Sequence, residues 1–265
     1  MARVKVVPFE RSVRIAPPAE ASGRMRSHAY LAGARDPLHL LRHALAPGTV
    51  LCLRGEPSDR VVYVLDGEIA VDECALIKGS SMIVEFGAEV EVVASEEQGA
   101  ILLVFNQASR PHDARPGGHI HLLPRAAVPC THDLGTQNEM GGGIHADAAC
   151  PTCTVWLHEN DFHCRHGTVV PLHSHSEDEI IFVTAGEIKL GNRRYGPGTA
   201  LAIAADTVYG FEAAPEGLSF INFRAASPTV TTPRGVHDER QQWISKLGAP
   251  PYADVAPARA GLIGS

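Results

Sequence analysis

Two histidines and a glutamate in the segment HSHSEDE are spaced so that their side chains could bind one divalent metal ion. His173 and His175 are two residues apart, so in an extended strand their imidazoles leave the same face. Glu179 follows four residues later, and a short bend in the backbone returns its carboxylate to that face. Two imidazoles and a carboxylate with open coordination positions are the ligand set of non-haem iron oxygenases, and zinc, manganese, nickel or cobalt can occupy it. We therefore expect one divalent transition metal here, iron before the others; two surface histidines in a polar turn are the alternative.

Glycines frame these residues at specific spacings. Gly167 precedes His173 by six residues, and Gly186 follows Glu179 by seven. From glycine to glycine the stretch resembles the first signature motif of the cupin superfamily. The resemblance implies a double-stranded β-helix, a small jelly-roll barrel whose interior holds the metal.

The segment GNRRYGPGTALAIAADTVYGFE, residues 191–212, occupies the place of the second cupin motif, with Gly198 at its turn glycine. It departs from the family pattern, because the usual acidic residue is Thr199, the usual proline is Ala204, and the histidine that is the family's fourth ligand is Tyr209. Two readings of Tyr209 stay open: a weak ligand or acid–base group whose pKa the cation lowers, or a side chain that packs beside the pocket. The coordination sphere is left open, which favours catalysis over a closed structural site.

An internal repeat runs through the chain at an offset of 119 residues. Three glycines of the first copy align without a gap with three of the second: Gly48 with Gly167, Gly67 with Gly186, and Gly79 with Gly198. At the three ligand positions the first copy has Arg54, Glu56 and Arg60. Guanidinium groups stay protonated and cannot hold a cation, so the chain resembles a bicupin whose N-terminal barrel binds no metal there. We expect these three residues to form an Arg-Glu-Arg ion pair, with an anion site as the alternative.

Composition and pattern indicate an all-β fold. The chain has 265 residues, of which 45% are hydrophobic, enough apolar side chains for two cores. Its 25 glycines and 19 prolines are typical of a chain with many turns. Runs such as VVYVLDGEIAV alternate like strands, and long helical periodicities are scarce. We expect two tandem double-stranded β-helix barrels: residues 1–125 as a degenerate N-terminal barrel and residues 126–234 as a metal-binding C-terminal one.

Residues 235–265 are expected to form a short C-terminal helix and a tail. In the segment GVHDERQQWISKLG, Trp243, Ile244 and Leu247 share one helical face. That face would dock on the barrel or on a second subunit, and the second case would make the protein a homodimer.

Net charge and the lack of long apolar segments argue against two classes of partner, nucleic acids and membranes. A net charge of −7 without clustered Lys and Arg argues against nucleic acid. The first fifteen residues lack the apolar core of a signal peptide, and no apolar run is long enough to cross a bilayer. We therefore expect a cytoplasmic protein without a membrane partner, whose six cysteines are thiols rather than a disulfide framework.

Cys150 and Cys153 form a CPTC motif just upstream of the candidate metal motif. Five further residues with metal-binding side chains lie nearby in sequence: His145, His158, His163, Cys164 and His166. Three interpretations stay open, namely plain thiols, a zinc site and a redox pair. Plain thiols are favoured, because the spacings match no zinc pattern and the residues after Cys153 read as a strand rather than as a helix.

The resemblance and the ligand set together predict a metal-dependent enzyme acting on a small organic molecule. The leading expectation is a non-haem Fe(II) dioxygenase of the quercetinase-like kind, in which Glu179 and Tyr209 take part in catalysis. The expected pocket wall consists of Trp156, His158, Ile181, Val183, Leu201, Phe211 and Phe220. The alternatives are a non-catalytic binding or sensing protein, and an isomerase, lyase or cyclase that does not use O₂.

Overall fold

The computed structural model describes residues 3–112, 114–131, 140–162 and 168–241. The first eleven strands are β1 (Val4–Val7), β2 (Val13–Ile15), β3 (Met25–Leu31), β4 (Leu38–Leu45), β5 (Val50–Arg54), β6 (Arg60–Val71), β7 (Cys74–Ile77), β8 (Ser81–Val84), β9 (Glu89–Ala94), β10 (Ala100–Gln107) and β11 (Ile120–Leu123). The remaining strands are β12 (Cys130–Thr131), β13 (Met140–Asp147), β14 (Trp156–Phe162), β15 (Val169–His175), β16 (Glu179–Leu190), β17 (Arg193–Tyr195), β18 (Ala200–Ile203), β19 (Tyr209–Arg224), β20 (Thr229–Thr232) and β21 (Gly235–Asp238). Short 3₁₀ turns lie at Phe9–Arg11 and Arg125–Ala127, and a helix begins at Glu239.

The strands form two antiparallel sheets, each within its own compact unit. One sheet has the order β11-β8-β6-β10-β4-β3-β2, with β5, β7 and β9 joined beside it. The other has the order β1-β18-β16-β19-β14-β13-β12, with β15, β17, β20 and β21 joined beside it. The all-β expectation of two jelly-roll barrels is confirmed.

The two units differ from the expected ranges in four segments: residues 3–11 and 235–241 belong to the C-terminal barrel, and residues 126–128 and 150–154 to the N-terminal one. The N-terminal barrel comprises residues 12–112, 114–128 and 150–154 of the described chain; the rest belongs to the C-terminal barrel. Residues 3–11 join the C-terminal barrel because β1 pairs with β18, with Val4 opposite Ile203. Residues 150–154 belong instead to the N-terminal barrel.

The sequence repeat reappears strand by strand. Strand β6 begins at Arg60 and β16 at Glu179, 119 residues later, and both are 12 residues long. Gly67 and Gly186, which occupy equivalent positions in the two strands, explain part of this similarity. Gly67 and Gly186 both have positive φ, and a β-carbon would lie 2.2 Å from the Gly99 carbonyl oxygen in one and 2.0 Å from that of Gly217 in the other. Only glycine permits both the conformation and the approach.

The interiors of the two barrels differ in side-chain size. The C-terminal core contains Ile181, Tyr209 and Phe211. The repeat places valines at the equivalent positions of the N-terminal core, which are Val62, Val90 and Val92. Aromatic and polar groups therefore line one barrel where the other is packed with aliphatic side chains.

The expected Arg54–Glu56–Arg60 ion pair is wrong. Arg54 is half exposed, and its Nε lies 2.7 Å from Glu89 Oε2. Arg60 donates to the backbone carbonyl of Glu56 rather than to its carboxylate, at 2.9 Å from Nη2. Since Leu53 lies opposite Val90 and faces the core, its neighbour Arg54 leaves the opposite face of β5.

The C-terminal segment begins as a strand rather than as the expected helix. Gly235–Asp238 forms β21, which pairs with β20. Asp238 then caps the helix, since its Oδ1 accepts a hydrogen bond of 3.1 Å from the backbone N–H of Gln241. Trp243, Ile244 and Leu247, the residues of the expected apolar face, lie outside the described residues. No helix in the described part of the chain is long and apolar enough to cross a membrane.

Candidate functional site

A cavity of about 250 Å³ opens in the C-terminal barrel. Its polar wall consists of His158, Asn160, His173, His175, Tyr209, Asn222, Arg224, Thr232 and Glu239. Its apolar wall consists of Phe162, Val170, Pro171, Ile181, Phe211, Phe220 and Val230. The three phenylalanine rings pack with centroids 5.9–6.0 Å apart, so one end of the cavity is aromatic and the other carries charge.

A β-bulge aims the first histidine into this cavity. The register between β15 and β19 shifts between Val170 and His173, and Pro171, which has no N–H to donate, lies inside the shift. His173 therefore lies opposite Tyr209, with ring centroids 4.4 Å apart, while Leu172 is left 61% exposed. The N-terminal barrel pairs Leu53 with Val90 at the equivalent place. A shift of one residue exchanges the two faces of a strand, so the bulge turns a core position into a cavity position.

His173 and His175 both have an acceptor beside Nδ1. His173 Nδ1 lies 2.8 Å from the carbonyl oxygen of Pro171. His175 Nδ1 lies 3.0 Å from Glu239 Oε2, an ion-pair distance without hydrogen-bond geometry. Metal-binding histidines typically hold one ring N–H on such an acceptor, which leaves Nε2 with a lone pair.

Glu179 is buried behind these rings, and three side chains donate to its carboxylate. The Tyr209 hydroxyl donates to Oε1. Asn222 Nδ2 and Arg224 Nη2 both donate to Oε2, each at 2.7 Å. A carboxylate has about four lone-pair positions, so one position on Oε1 is left for a metal.

Arg224 joins Glu179 to a second carboxylate, that of Glu239. Its Nη1 lies 3.3 Å from both oxygens of Glu239, and the arginine is 1% exposed. Glu239 also lies 3.8 Å from His158 Nε2. The first turn of the helix, capped by Asp238, thus carries an acidic residue to the histidines.

Burial and charge fix the protonation of several of these groups. Burial lowers the pKa of His158 to about 3 and also lowers that of His173, so both imidazoles are neutral at pH 7. Burial alone would raise the pKa of Glu179 and Glu239, but the charge of Arg224, with other partners, brings both below the ordinary value. Glu179 and Glu239 together carry one more charge than Arg224 neutralises, so these three groups favour a bound cation.

Tyr209 is a hydrogen-bond donor rather than an anion. Burial and the charge of Glu179 raise its pKa well above the ordinary value of a phenol. Its hydroxyl therefore keeps its proton at neutral pH and holds Glu179 Oε1 in place.

Replacing Tyr209 by phenylalanine should lower the free energy of unfolding by about 1–3 kcal/mol, because a buried carboxylate loses one of its donors. Chemical denaturation of the full chain measures this. Tyr195→Phe is the matched control, since Tyr195 only packs partly buried against the same core, and it should change stability by less than about 0.5 kcal/mol. Equal effects of the two substitutions would contradict the assignment.

The expected pocket wall is reproduced in part. His158, Ile181, Phe211 and Phe220 line the cavity. The other three are buried elsewhere: Val183 and Leu201 in the core of the barrel, and Trp156 in a small cluster with Ile144 and Ala148. Trp156 still touches the site indirectly, because its ring centroid is 5.3 Å from that of His158.

The expected ligands have suitable chemistry, but their ligand atoms do not all lie within 4.8 Å of one another. The two imidazole donors, of which that of His173 is neutral at pH 7, and the free position on Glu179 are the donor chemistry that a divalent ion needs. However, among the described residues the group whose ligand atoms all lie within 4.8 Å of one another is a different one. His173, His175 and Glu179 as metal ligands therefore stay a prediction.

That other group contains the two cysteines of the CPTC motif. Cys150 and Cys153 lie with Glu85 and His121 rather than with His145 or His158. His163, Cys164 and His166 lie outside the described residues. The structure shows no disulfide bond among the five described cysteines.

Comparison with known proteins gives a likeness of fold. No protein-family model and no curated protein sequence matches the chain. Oxalate decarboxylase of Bacillus subtilis superposes with a TM-score of 0.61 at 13% identity, over 83% of this chain and 77% of that one. A putative glyoxylate-induced protein from Pseudomonas aeruginosa gives 0.68 at 14%, over 84% and 88%. Protein Ylba from E. coli gives 0.59 at 14%, over 83% and 90%. At these identities the likeness establishes the fold alone.

Proposed function

We propose that the protein is a metal-dependent enzyme that acts on a small organic molecule in the cavity of the C-terminal barrel. The observation that carries the proposal is the pair His173 and His175, each with an acceptor at Nδ1 and each lining the same cavity. A bound divalent metal would be held by these two imidazoles and by Glu179. It would supply a Lewis acid and, if it is iron, the electrons that activate O₂.

Two buried atoms of the cavity wall indicate the polar part of the substrate. Arg224 Nε and Asn222 Oδ1 have no hydrogen-bond partner among the described residues. A buried donor or acceptor left in this state costs about 1–3 kcal/mol, which a ligand can offset. Both atoms are enclosed in the wall, so a substrate that offers an oxygen to Arg224 Nε and a hydroxyl or N–H to Asn222 Oδ1 would bind them only after neighbouring side chains move.

The chain's own residues divide the remaining work. Phe162, Phe211 and Phe220 receive the apolar part of the substrate and exclude water from that end. Tyr209 keeps its proton on the hydroxyl oxygen and fixes Glu179. The cavity volume of about 250 Å³ is at the small end for ligand pockets, so the substrate is small.

A non-haem Fe(II) dioxygenase is the reaction class we place first, from the two-histidine, one-carboxylate set. A lyase or decarboxylase that does not consume O₂ is second. The orphaned donor of Arg224 favours it, because a carboxylate is a natural acceptor for a guanidinium. The likeness in fold to oxalate decarboxylase, whose manganese centres have been studied, points the same way.

The test is an assay of protein reconstituted separately with Fe²⁺, Mn²⁺ and Zn²⁺. Flavonoids, β-diketones, catechols and small oxo- and dicarboxylates are the panel, with O₂ uptake and CO₂ release followed together. We expect turnover that needs Fe²⁺ and consumes O₂. Turnover without O₂ would favour the lyase, and tight binding of a panel member without turnover under any metal would favour a binding protein.

A further inference from the structure

Four side chains with metal-binding atoms converge in the N-terminal barrel, outside the cavity described above. They are Glu85, His121, Cys150 and Cys153, and their ligand atoms all lie within 4.8 Å of one another. Glu85 directly follows β8, and His121 lies on β11, which pairs with β8 so that His121 is opposite Ile83. The two cysteines come from the segment 150–154, which belongs to this barrel although its flanking strands do not.

The distances within the cluster match those of a tetrahedral site. Cys150 Sγ lies 3.6 Å from Glu85 Oε1 and 3.8 Å from His121 Nε2. Ligand atoms around a tetrahedral zinc ion lie roughly 3.3 to 3.8 Å apart, given bond lengths of 2.0–2.3 Å. His121 Nε2 and Glu85 Oε1 are closer, at 2.6 Å, a hydrogen bond that the ion would replace. That edge would have to open by about 1 Å for an ion to enter.

The surroundings already orient the carboxylate as a ligand. Glu85 is fully buried, and its Oε2 is occupied by the backbone N–H and the ring of His119, both at 3.0 Å. Oε1 is thereby directed to His121 and Cys150. Thr152 donates to the same oxygen at 2.6 Å, from within the CPTC loop. Such outer hydrogen bonds typically fix metal ligands in position.

The backbone of the CPTC loop is also held in place. Arg115 Nη1 donates to the carbonyl oxygen of Cys153 at 2.9 Å, and the N–H of Gly117 donates to that of Thr152 at 3.0 Å. Cys153 is 2% exposed. The loop has no strand or helix of its own, so an ion bound to its thiols would contribute directly to its folding.

We propose that Glu85, His121, Cys150 and Cys153 bind a structural Zn²⁺ that fastens residues 150–154 to the N-terminal barrel. Two thiolates and an imidazole select zinc over the hard ions that oxygen ligands prefer. Four protein ligands leave no open position, so the ion is structural rather than catalytic. The site is separate in residues from the pocket of the proposed function, and either stands if the other fails.

The test is zinc content of the purified full-length chain by mass spectrometry of the metal. The double variant Cys150→Ser/Cys153→Ser should lose about one zinc per chain. The matched control Cys52→Ser/Cys74→Ser alters two other thiols of the same barrel and should lose none. His173→Ala/His175→Ala should also keep this zinc, which separates the two sites. Zinc unchanged in Cys150→Ser/Cys153→Ser would overturn the proposal.

A measurement on the unaltered chain covers the case in which the cysteine variant does not fold. Titration with an organomercurial thiol reagent should release one zinc per chain, detected by a chromogenic chelator. Protein prepared with Co²⁺ should show the sulfur-to-cobalt charge-transfer bands of a thiolate site. Zinc-free protein that takes up no Zn²⁺ or Co²⁺ under reducing conditions, or a Cys150–Cys153 disulfide in freshly purified protein, would overturn the assignment.

Discussion

Replacing Arg224 by methionine should lower the free energy of unfolding by about 3–5 kcal/mol, the usual cost of removing one partner from a buried ion pair. Arg224 is 1% exposed and lies between the carboxylates of Glu179 and Glu239. Methionine keeps most of the volume, so the loss reports the two carboxylates left without their cation. Denaturant unfolding of the full chain at pH 7 measures it.

Arg194→Met is the matched control for this variant. Arg194 pairs with Glu187 at 3.3 Å, but its side chain is 55% exposed. Surface pairs of this kind contribute about 0–1 kcal/mol, so the control should be nearly neutral. Similar losses in both variants would contradict a special role of the buried pair.

The pH dependence of the Arg224 variant follows from the same charges. In the unaltered protein the pKa of Glu179 and of Glu239 is lowered, so their contribution to stability is present above the unfolded pKa and is lost as the pH falls. Without Arg224, burial raises both pKa values, and protonation relieves the folded state instead. The stability difference between the two proteins should therefore shrink from pH 7 to pH 5; a difference that grows would contradict the account.

Replacing both His173 and His175 by alanine should remove the metal of the C-terminal barrel and abolish turnover. Loss of a residue that merely supports a metal ligand lowers affinity or activity by about 10- to 100-fold, and loss of two ligands should exceed that. Metal content after dialysis and the rate of the reconstituted enzyme are the two readouts. The zinc of the CPTC cluster must be subtracted from the metal count.

His237→Ala is the control for the histidine pair. His237 is exposed on β21 of the same barrel and should change neither metal content nor rate. Circular dichroism should show that the double variant keeps its strands. Undiminished metal in the folded double variant, after correction for zinc, would mean that the ligands lie elsewhere.

The sequence predicted the fold because its signals are local. Gly67 and Gly186 must be glycines because both have positive φ and another backbone lies close to them. Their spacing of 119 residues is the spacing of the equivalent strands β6 and β16. The same repeat misplaced the Arg54 side chain. A β-bulge at Pro171 exists in one barrel and not at the matching register of the other, and a gapless alignment cannot show it.

Arg224 and Glu239 were not predicted as site residues from the sequence, for different reasons. Phe220, Asn222 and Arg224 are two residues apart and share one face of β19. Two polar residues on the same face as a core phenylalanine could have predicted a polar cavity wall. Glu239 could not be predicted, because it lies 60 residues after Glu179 in sequence. The hairpin of β20 and β21 places it beside His175.

The cysteine cluster could not be found from spacing. Cys150 lies 65 residues from Glu85 and 29 from His121 along the chain. Zinc motifs are recognisable when paired ligands are close in sequence at both ends, and here only the CPTC end has that form. The pairing of β8 with β11 supplies the other two ligands.

The most direct test of the metal site in the C-terminal barrel is anomalous diffraction from crystals of the full chain loaded with Mn²⁺ or Fe²⁺. We expect a metal peak in the cavity of that barrel, bonded to Nε2 of His173 and of His175, with Glu179 as the carboxylate ligand. A cavity without a peak in crystals whose CPTC cluster holds metal, or a peak bonded to neither histidine, would contradict it.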